Sequence, residues 1–201
     1  MKPLHFLLML WVLIITPLQA KTIVVIGDSL SAGYGINPQK GWVQLLSNRL
    51  TKEGSFKIVN LSTSGDTTSN GLSKLDMALQ KYKPDMVIIE LGANDGLRGL
   101  AISHMKNNLE IMIQKSKAAK AKILLLATYL PPNYGPEYTK QFNSVYADLT
   151  KQYQIALIPM FLEGIGGHQE YMQDDGLHPN ESAQPLIVNT IWPTLKSLVV
   201  Q

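Results

Sequence analysis

Five short apolar runs punctuate the chain, at Thr22–Ile26, Phe56–Asn60, Met86–Glu90, Ile123–Ala127 and Ile155–Ile158. Each has the length of a strand. Most are rich in Val, Ile or Leu and do not alternate with polar residues, the pattern of a parallel strand covered on both faces. The segments between them repeat apolar residues every three to four positions, which predicts helices with one buried face. Trp42, Leu45, Leu46 and Leu50 mark the first, and Leu72, Leu75, Leu79 and Tyr82 the second. Ile102, Met105, Leu109, Met112 and Ile113 mark the third, and Phe142, Val145, Tyr146, Leu149 and Tyr153 the fourth. A last helix is expected after Pro179, with Pro193 bending or ending it. Strands alternating with helices through right-handed crossovers predict an α/β fold: a three-layer α/β/α sandwich on a five-stranded parallel sheet.

The first twenty residues do not fit this alternation. Lys2 precedes an apolar run from Leu4 to Ile15 broken only by His5; Pro17 ends it, and Ala20 supplies a small residue at the expected cut. This reads as a secretory leader over residues 1–20, with one domain over 21–201. The run is short for a membrane span, so an uncleaved anchor is the lesser reading.

Composition narrows the class. The 201 residues are 45% hydrophobic and 16% charged, with a formal net charge of +3. That excludes a disordered segment. The lysines at 115, 117, 120 and 122 read as a solvated face, and no nucleic-acid partner is expected. The sequence has no cysteine, which removes disulfides, thiolate catalysis and cysteine metal sites. No periodic seam predicts an oligomer, so a monomer is expected.

In a doubly wound sheet, chemistry collects beyond the carboxyl ends of the strands. Unusual polar residues do follow the strands here: Gly27-Asp28-Ser29-Leu30, then Ser62-Thr63-Ser64-Gly65-Asp66, then Gly92-Ala93-Asn94-Asp95. Past a longer loop comes Asp174-Asp175-Gly176-Leu177-His178-Pro179. A serine hydroxyl attacks only if a base takes its proton, and histidine is the natural base near neutral pH. Of the three histidines after residue 20, His104 falls on a helix pattern and His168 in a glycine-rich loop. His178 has Asp175 three residues before it, a spacing that lets the carboxylate orient the ring while the other nitrogen faces Ser29. Asp174 competes for that role. The oxyanion of a tetrahedral intermediate needs fixed donors, and the N–H groups of Ser29 and Gly65 with the Asn94 amide are the candidates. Each motif alone also reads as a turn or a helix cap.

Taken together, Gly-Asp-Ser-Leu at 27–30, Gly65, Gly-Ala-Asn-Asp at 92–95 and Asp-Gly-Leu-His-Pro at 175–179 resemble the SGNH (GDSL-type) hydrolase family. Gly33-Tyr34-Gly35 and the loop Leu130 to Gly135 are similar to its thioesterase/lysophospholipase/arylesterase group. The resemblance implies a flavodoxin-like SGNH fold, catalytic Ser29, Asp175 and His178, and an oxyanion hole of Ser29, Gly65 and Asn94. It implies hydrolysis of carboxylic esters and thioesters of fatty acyl chains, lysophospholipids included, without metal or organic cofactor. The leader pattern implies export, and the resemblance favours the periplasm, with secretion as the runner-up; transient contact with membrane lipid is a further expectation. Apolar residues beside the polar rim are candidates to grip the acyl chain: Leu97, Leu100, Leu130, Pro131 and Tyr134. Two rivals stand beside this reading. One is a carbohydrate-ester deacetylase on the same machinery, the other a non-catalytic flavodoxin-like binding module.

Overall fold

The computed structural model describes residues 20–199, so the expected leader lies outside the described residues except for Ala20. Five strands form one parallel sheet: β1 (Lys21–Gly27), β2 (Phe56–Asn60), β3 (Met86–Glu90), β4 (Lys122–Leu126) and β5 (Ala156–Ile158). Their spatial order is β2-β1-β3-β4-β5. The order reverses between β1 and β3, which places the crevice of a doubly wound sheet at the carboxyl ends of those two strands.

Among the described residues, seven α-helices lie between and after the strands: α1 (Ser29–Ala32), α2 (Trp42–Leu50), α3 (Thr68–Tyr82), α4 (Ala93–Leu97), α5 (Ile102–Ala118), α6 (Pro136–Tyr153) and α7 (Gln184–Val199). Successive side chains of a strand point to opposite faces, and the two cores divide accordingly. Ile23 and Val25 of β1 join Trp42, Leu46, Ile187 and Ile191 of α2 and α7 in one layer. Val24 and Ile26 join Leu75, Leu109, Met112 and Phe142 of α3, α5 and α6 in the other. Burial of such side chains contributes roughly 1.5–3 kcal/mol each, which is why the strand runs carry no polar alternation.

Two details of the last helix add to the sequence pattern. Pro193 does not end the last helix, which continues to Val199. The proline removes one backbone donor, a cost of roughly 3 kcal/mol. Against this, Ile191, Trp192, Leu195 and Val199 are all buried on the α2 side of the sheet and hold the segment in place. The helix starts after Pro179, as expected: Asn180 caps a short 3₁₀ turn at Glu181–Ala183, and α7 begins at Gln184. The two shortest helices, α1 and α4, have no periodic signature and lie at the switch point of the sheet.

Candidate active site

Ser29 opens α1 directly beyond β1. Asp28 caps this single turn, its Oδ1 accepting the Leu30 N–H at 3.0 Å. The cap leaves the Ser29 side chain at the sheet end rather than in the core, and Ser29 itself is partly exposed.

The His178 loop is organised by Asp175. Asp175 Oδ1 accepts the N–H groups of Leu177 and His178 at 2.9 and 3.0 Å, and Oδ2 lies 2.6 Å from His178 Nδ1. Gly176 between them has φ +66°, a left-handed turn that a side chain would strain. The backbone N–H of His178, then its ring, hold the Asp175 carboxyl down at about 2. An ionised carboxylate only accepts, so His178 Nδ1 donates to it and Nε2 turns its lone pair outward. That lone pair meets Ser29: Nε2 lies 2.9 Å from Ser29 Oγ. Asp174 is exposed and takes no part in this contact. His104 lies exposed on α5, and His168 sits 3.8 Å from Glu170 in the loop after β5.

The loops that carry the expected oxyanion donors are tied to one another. Gly65 is the third residue of a turn closed by the Asp66 N–H on Thr63 O at 3.1 Å, and its φ of +83° suits glycine alone. The Thr63 N–H binds Gly27 O at 3.1 Å, which fixes that turn to the end of β1. Arg98 Nη2 donates to Gly65 O at 2.8 Å, and Lys74 pairs with Asp66. Asn94 lies in the first turn of α4. Its Nδ2 donates to Asp66 O at 3.0 Å and to Asp28 Oδ2 at 3.1 Å. Both amide protons are therefore engaged in the resting site, so an incoming oxyanion must compete for one of them. The buried Asp95 beside Asn94 accepts the Thr68 N–H at 2.8 Å and the Thr68 hydroxyl at 2.6 Å, which anchors α4 to the start of α3.

A cleft of about 620 Å³ runs from Ser29, Asn94 and His178 between the loops after β3, β4 and β5. Its size is that of a small-ligand site. Leu97, Leu130 and Pro131 line it. Leu100 and Tyr134 do not: Leu100 is exposed, and the Tyr134 hydroxyl reaches back to donate to Leu97 O at 2.9 Å. Gly65 also lies outside the lining, joined to it through Asp66 and Asn94. The wall that the sequence reading missed comes from the segment after β5: Met160, Phe161, Leu162, Met172 and Leu177. The apolar triplet at 160–162, directly after a strand, was its only sequence signal. Tyr34, another residue outside the candidate list, lays its ring against His178 with centroids 4.6 Å apart. No group of three or more His, Asp or Glu side chains is placed to hold a metal among the described residues.

The sequence profile of the GDSL-like Lipase/Acylhydrolase family matches residues 25–184. Esterase TesA of Pseudomonas aeruginosa is 50% identical over 181 residues, 90% of each chain. Thioesterase 1/protease 1/lysophospholipase L1 of Escherichia coli K12 is 41% identical over 180 residues, 90% of this chain and 86% of that one. A crystal structure of TesA superposes with a TM-score of 0.87 at 49% identity, covering 89% of this chain and all of that chain.

Proposed function

The chain belongs to the GDSL-like lipase/acylhydrolase family and is an ester-acting hydrolase; on that premise we propose that it cleaves carboxylic esters and thioesters of fatty acyl chains through an acyl-enzyme on Ser29. The observation that carries this reading is the chain of contacts Asp175–His178–Ser29, at 2.6 and 2.9 Å.

In the first step His178 Nε2 takes the hydroxyl proton as Ser29 Oγ attacks the acyl carbon, and Asp175 stabilises the imidazolium that forms. The carbonyl oxygen becomes an oxyanion facing the N–H groups of Ser29 and Gly65 and the amide of Asn94. Such preorganised donors supply most of their stabilisation in the transition state. His178 then protonates the departing alcohol or thiol, and the acyl group stays on Ser29. Water enters, His178 takes its proton, and the hydroxide attacks the acyl-enzyme. Collapse of the second intermediate returns the proton to Ser29 and frees the acid.

The cleft supports an acyl chain as the bound portion, since its far wall is Leu, Met, Phe and Pro rather than hydrogen-bonding groups. The same lining disfavours a sugar-ester deacetylase, and the relatives' activities disfavour a non-catalytic binding module. Tyr129, Met160 and Leu177 are large apolar residues of this cleft left exposed, which supports transient contact with lipid at its mouth. No helix among the described residues is long and apolar enough to cross a membrane. The leader pattern over residues 1–20 supports export, to the periplasm by the family resemblance.

The test is a chain-length series of nitrophenyl esters, acyl thioesters and lysophospholipids on residues 21–201, with Ser29→Ala as control. Preference for medium or long acyl chains, lost in Ser29→Ala, is the expected result. Preference for acetylated sugars would favour the deacetylase.

A further inference from the structure

Glu90 ends β3, a strand otherwise made of Met86, Val87, Ile88 and Ile89, and its side chain is wholly out of water. An isolated carboxylate in such a place is costly to bury. Its Oε2 accepts the Ser31 hydroxyl at 2.8 Å and the Asp28 N–H at 3.4 Å. Its Oε1 has no hydrogen-bond partner, and an ionised oxygen left bare in a dry site is costly, which favours the neutral acid. The neighbouring Asp28 is also buried, and its backbone N–H meets the Glu90 carboxyl, so the two acidic side chains share one dry site. Two carboxylates in one dry site do not both ionise. Asp28 is the better anion, because the Leu30 N–H and the Asn94 amide each donate to one of its oxygens. Glu90, with one oxygen unserved, is the better acid. Burial raises both groups, Asp28 to about 6 and Glu90 well above the usual carboxylate range. Of the other titratable groups, His178 faces Asp28, and Tyr146 and Asp95 complete the surroundings.

We propose that Glu90 is a positioning residue for ester hydrolysis: as a neutral acid it donates to Asp28, and through Asp28 it sets how tightly the Asn94 amide is held. The inference rests on the Ser29 mechanism proposed above. At rest the two Asn94 amide protons go to Asp66 O and Asp28 Oδ2. The second of these must pass to the oxyanion as it forms. An unmodified carboxylate at 28 would compete strongly for that proton, because hydrogen bonds to a full charge are the strong ones. A carboxylate whose charge is shared with Glu90 competes less. The proton on Glu90 therefore favours the transition state and leaves ground-state binding alone, which is the pattern of a kcat effect. The same contacts hold the Ser29 turn in place, since Glu90 grips Ser31 and the Asp28 N–H on either side of the nucleophile.

Glu90→Gln keeps an oxygen for Ser31 and an N–H for Asp28, whereas Glu90→Ala removes both. Glu90→Gln is expected to retain kcat within about threefold. Glu90→Ala is expected to lower kcat roughly 10-fold or more, with KM within about twofold, but by less than the 10²–10³-fold set by losing an oxyanion donor outright. Affinity for an alkyl boronic acid, which forms a tetrahedral adduct on the serine, is expected to fall in parallel with kcat, and affinity for the fatty acid product is not. Infrared spectra of the wild type at neutral pH are expected to show a protonated-carboxyl band that is missing from Glu90→Gln. If Glu90→Ala is too unstable to assay, Glu90→Gln and the infrared band decide alone. Loss of activity in Glu90→Gln, absence of the band, or an unchanged kcat in folded Glu90→Ala would overturn the proposal. The band does not depend on turnover, so it judges Glu90 even if Ser29→Ala were to remain active and the mechanism above were to fail.

Discussion

His178 Nε2 and Ser29 Oγ stand 2.9 Å apart although 149 positions separate the two residues in the chain. The fold closes that gap in two steps. The switch point of the sheet puts α1 at the centre of one rim, and Gln173 straps the His178 loop to the chain after α1. Gln173 Nε2 donates to Tyr34 O at 2.8 Å and to Pro179 O at 3.1 Å, and its N–H donates to His178 O at 2.8 Å. The nucleophile and base are thus joined through the Gln173 side chain as well as by their own hydrogen bond.

Asp175→Asn keeps the shape of the turn but loses the anion that fixes the His178 tautomer. A fall in kcat on the order of 10³–10⁴-fold is expected, read from steady-state kinetics on a short nitrophenyl ester. Its pH signature is a second check. The folded-state carboxyl sits at about 2, below the ordinary 3.8, so its stabilisation is fully present above about pH 4 and fades as pH falls toward 2. The difference in melting temperature between wild type and Asp175→Asn should therefore shrink across that acid window.

Asp28 has the opposite sign. Burial lifts its carboxyl from 3.8 to about 6, so the folded state holds that proton more tightly than the unfolded state. Its contribution to stability is fully present below pH 3.8 and is lost as pH rises through about 6. Melting curves of wild type and Asp28→Asn at stepped pH should show the variant gaining relative to wild type between about pH 4 and pH 6. A gap independent of pH would contradict the assignment.

Asn94→Ala removes the amide that bridges Asp28 and Asp66. A loss in kcat of roughly 10²–10³-fold with little change in KM is expected if the amide serves the oxyanion. A change confined to KM would place Asn94 in substrate binding instead.

Asp95→Ala tests the scaffold rather than the chemistry. The variant strands the Thr68 N–H and hydroxyl in a buried site, and a loss of about 2–4 kcal/mol in denaturant unfolding is expected. Thr68→Ala should cost less, since the Thr68 N–H still serves Asp95 Oδ2 and only the hydroxyl bond to Oδ1 is lost.

Chain-length selectivity should follow the cleft rather than proximity in sequence. Met160→Ser and Leu177→Ser shorten the apolar wall and are expected to lower kcat/KM for long acyl chains about 3–10-fold more than for acetyl esters. Leu100→Ser, outside the wall, should leave the ratio unchanged.

The central strands were legible because they are buried on both faces and so carry nearly unbroken apolar runs, as in β3 and β4, whereas the edge strand β2 mixes Phe, Ile and Val with exposed Lys57 and Asn60. The long helices were legible because each buries one stripe. The four polar motifs were legible because the sheet topology demands that its loops meet at one rim. What escaped had no period to betray it. Helices α1 and α4 span four and five residues, too short for a repeat. The wall at 160–177 comes from irregular backbone between β5 and α7. Leu100 and Tyr134 were placed at the cleft by nearness in sequence, but α4 ends before Leu100 and the ring of Tyr134 turns to brace Leu97. Of the two courses expected at Pro193, bending or ending the helix, the ending does not occur, because packing of the turns on either side carries the helix through. Glu90 had a visible signal, a carboxyl at the end of an apolar strand, whose meaning depends on Asp28 lying beside it in space.

The most direct measurement is the site of reaction with an alkyl fluorophosphonate, mapped by mass spectrometry on the intact protein. A single adduct on Ser29, absent from Ser29→Ala and slowed in His178→Ala, is the expected result. An adduct on another residue, or none on a folded protein that still hydrolyses esters, would mean that the hydroxyl beside the imidazole is not the nucleophile.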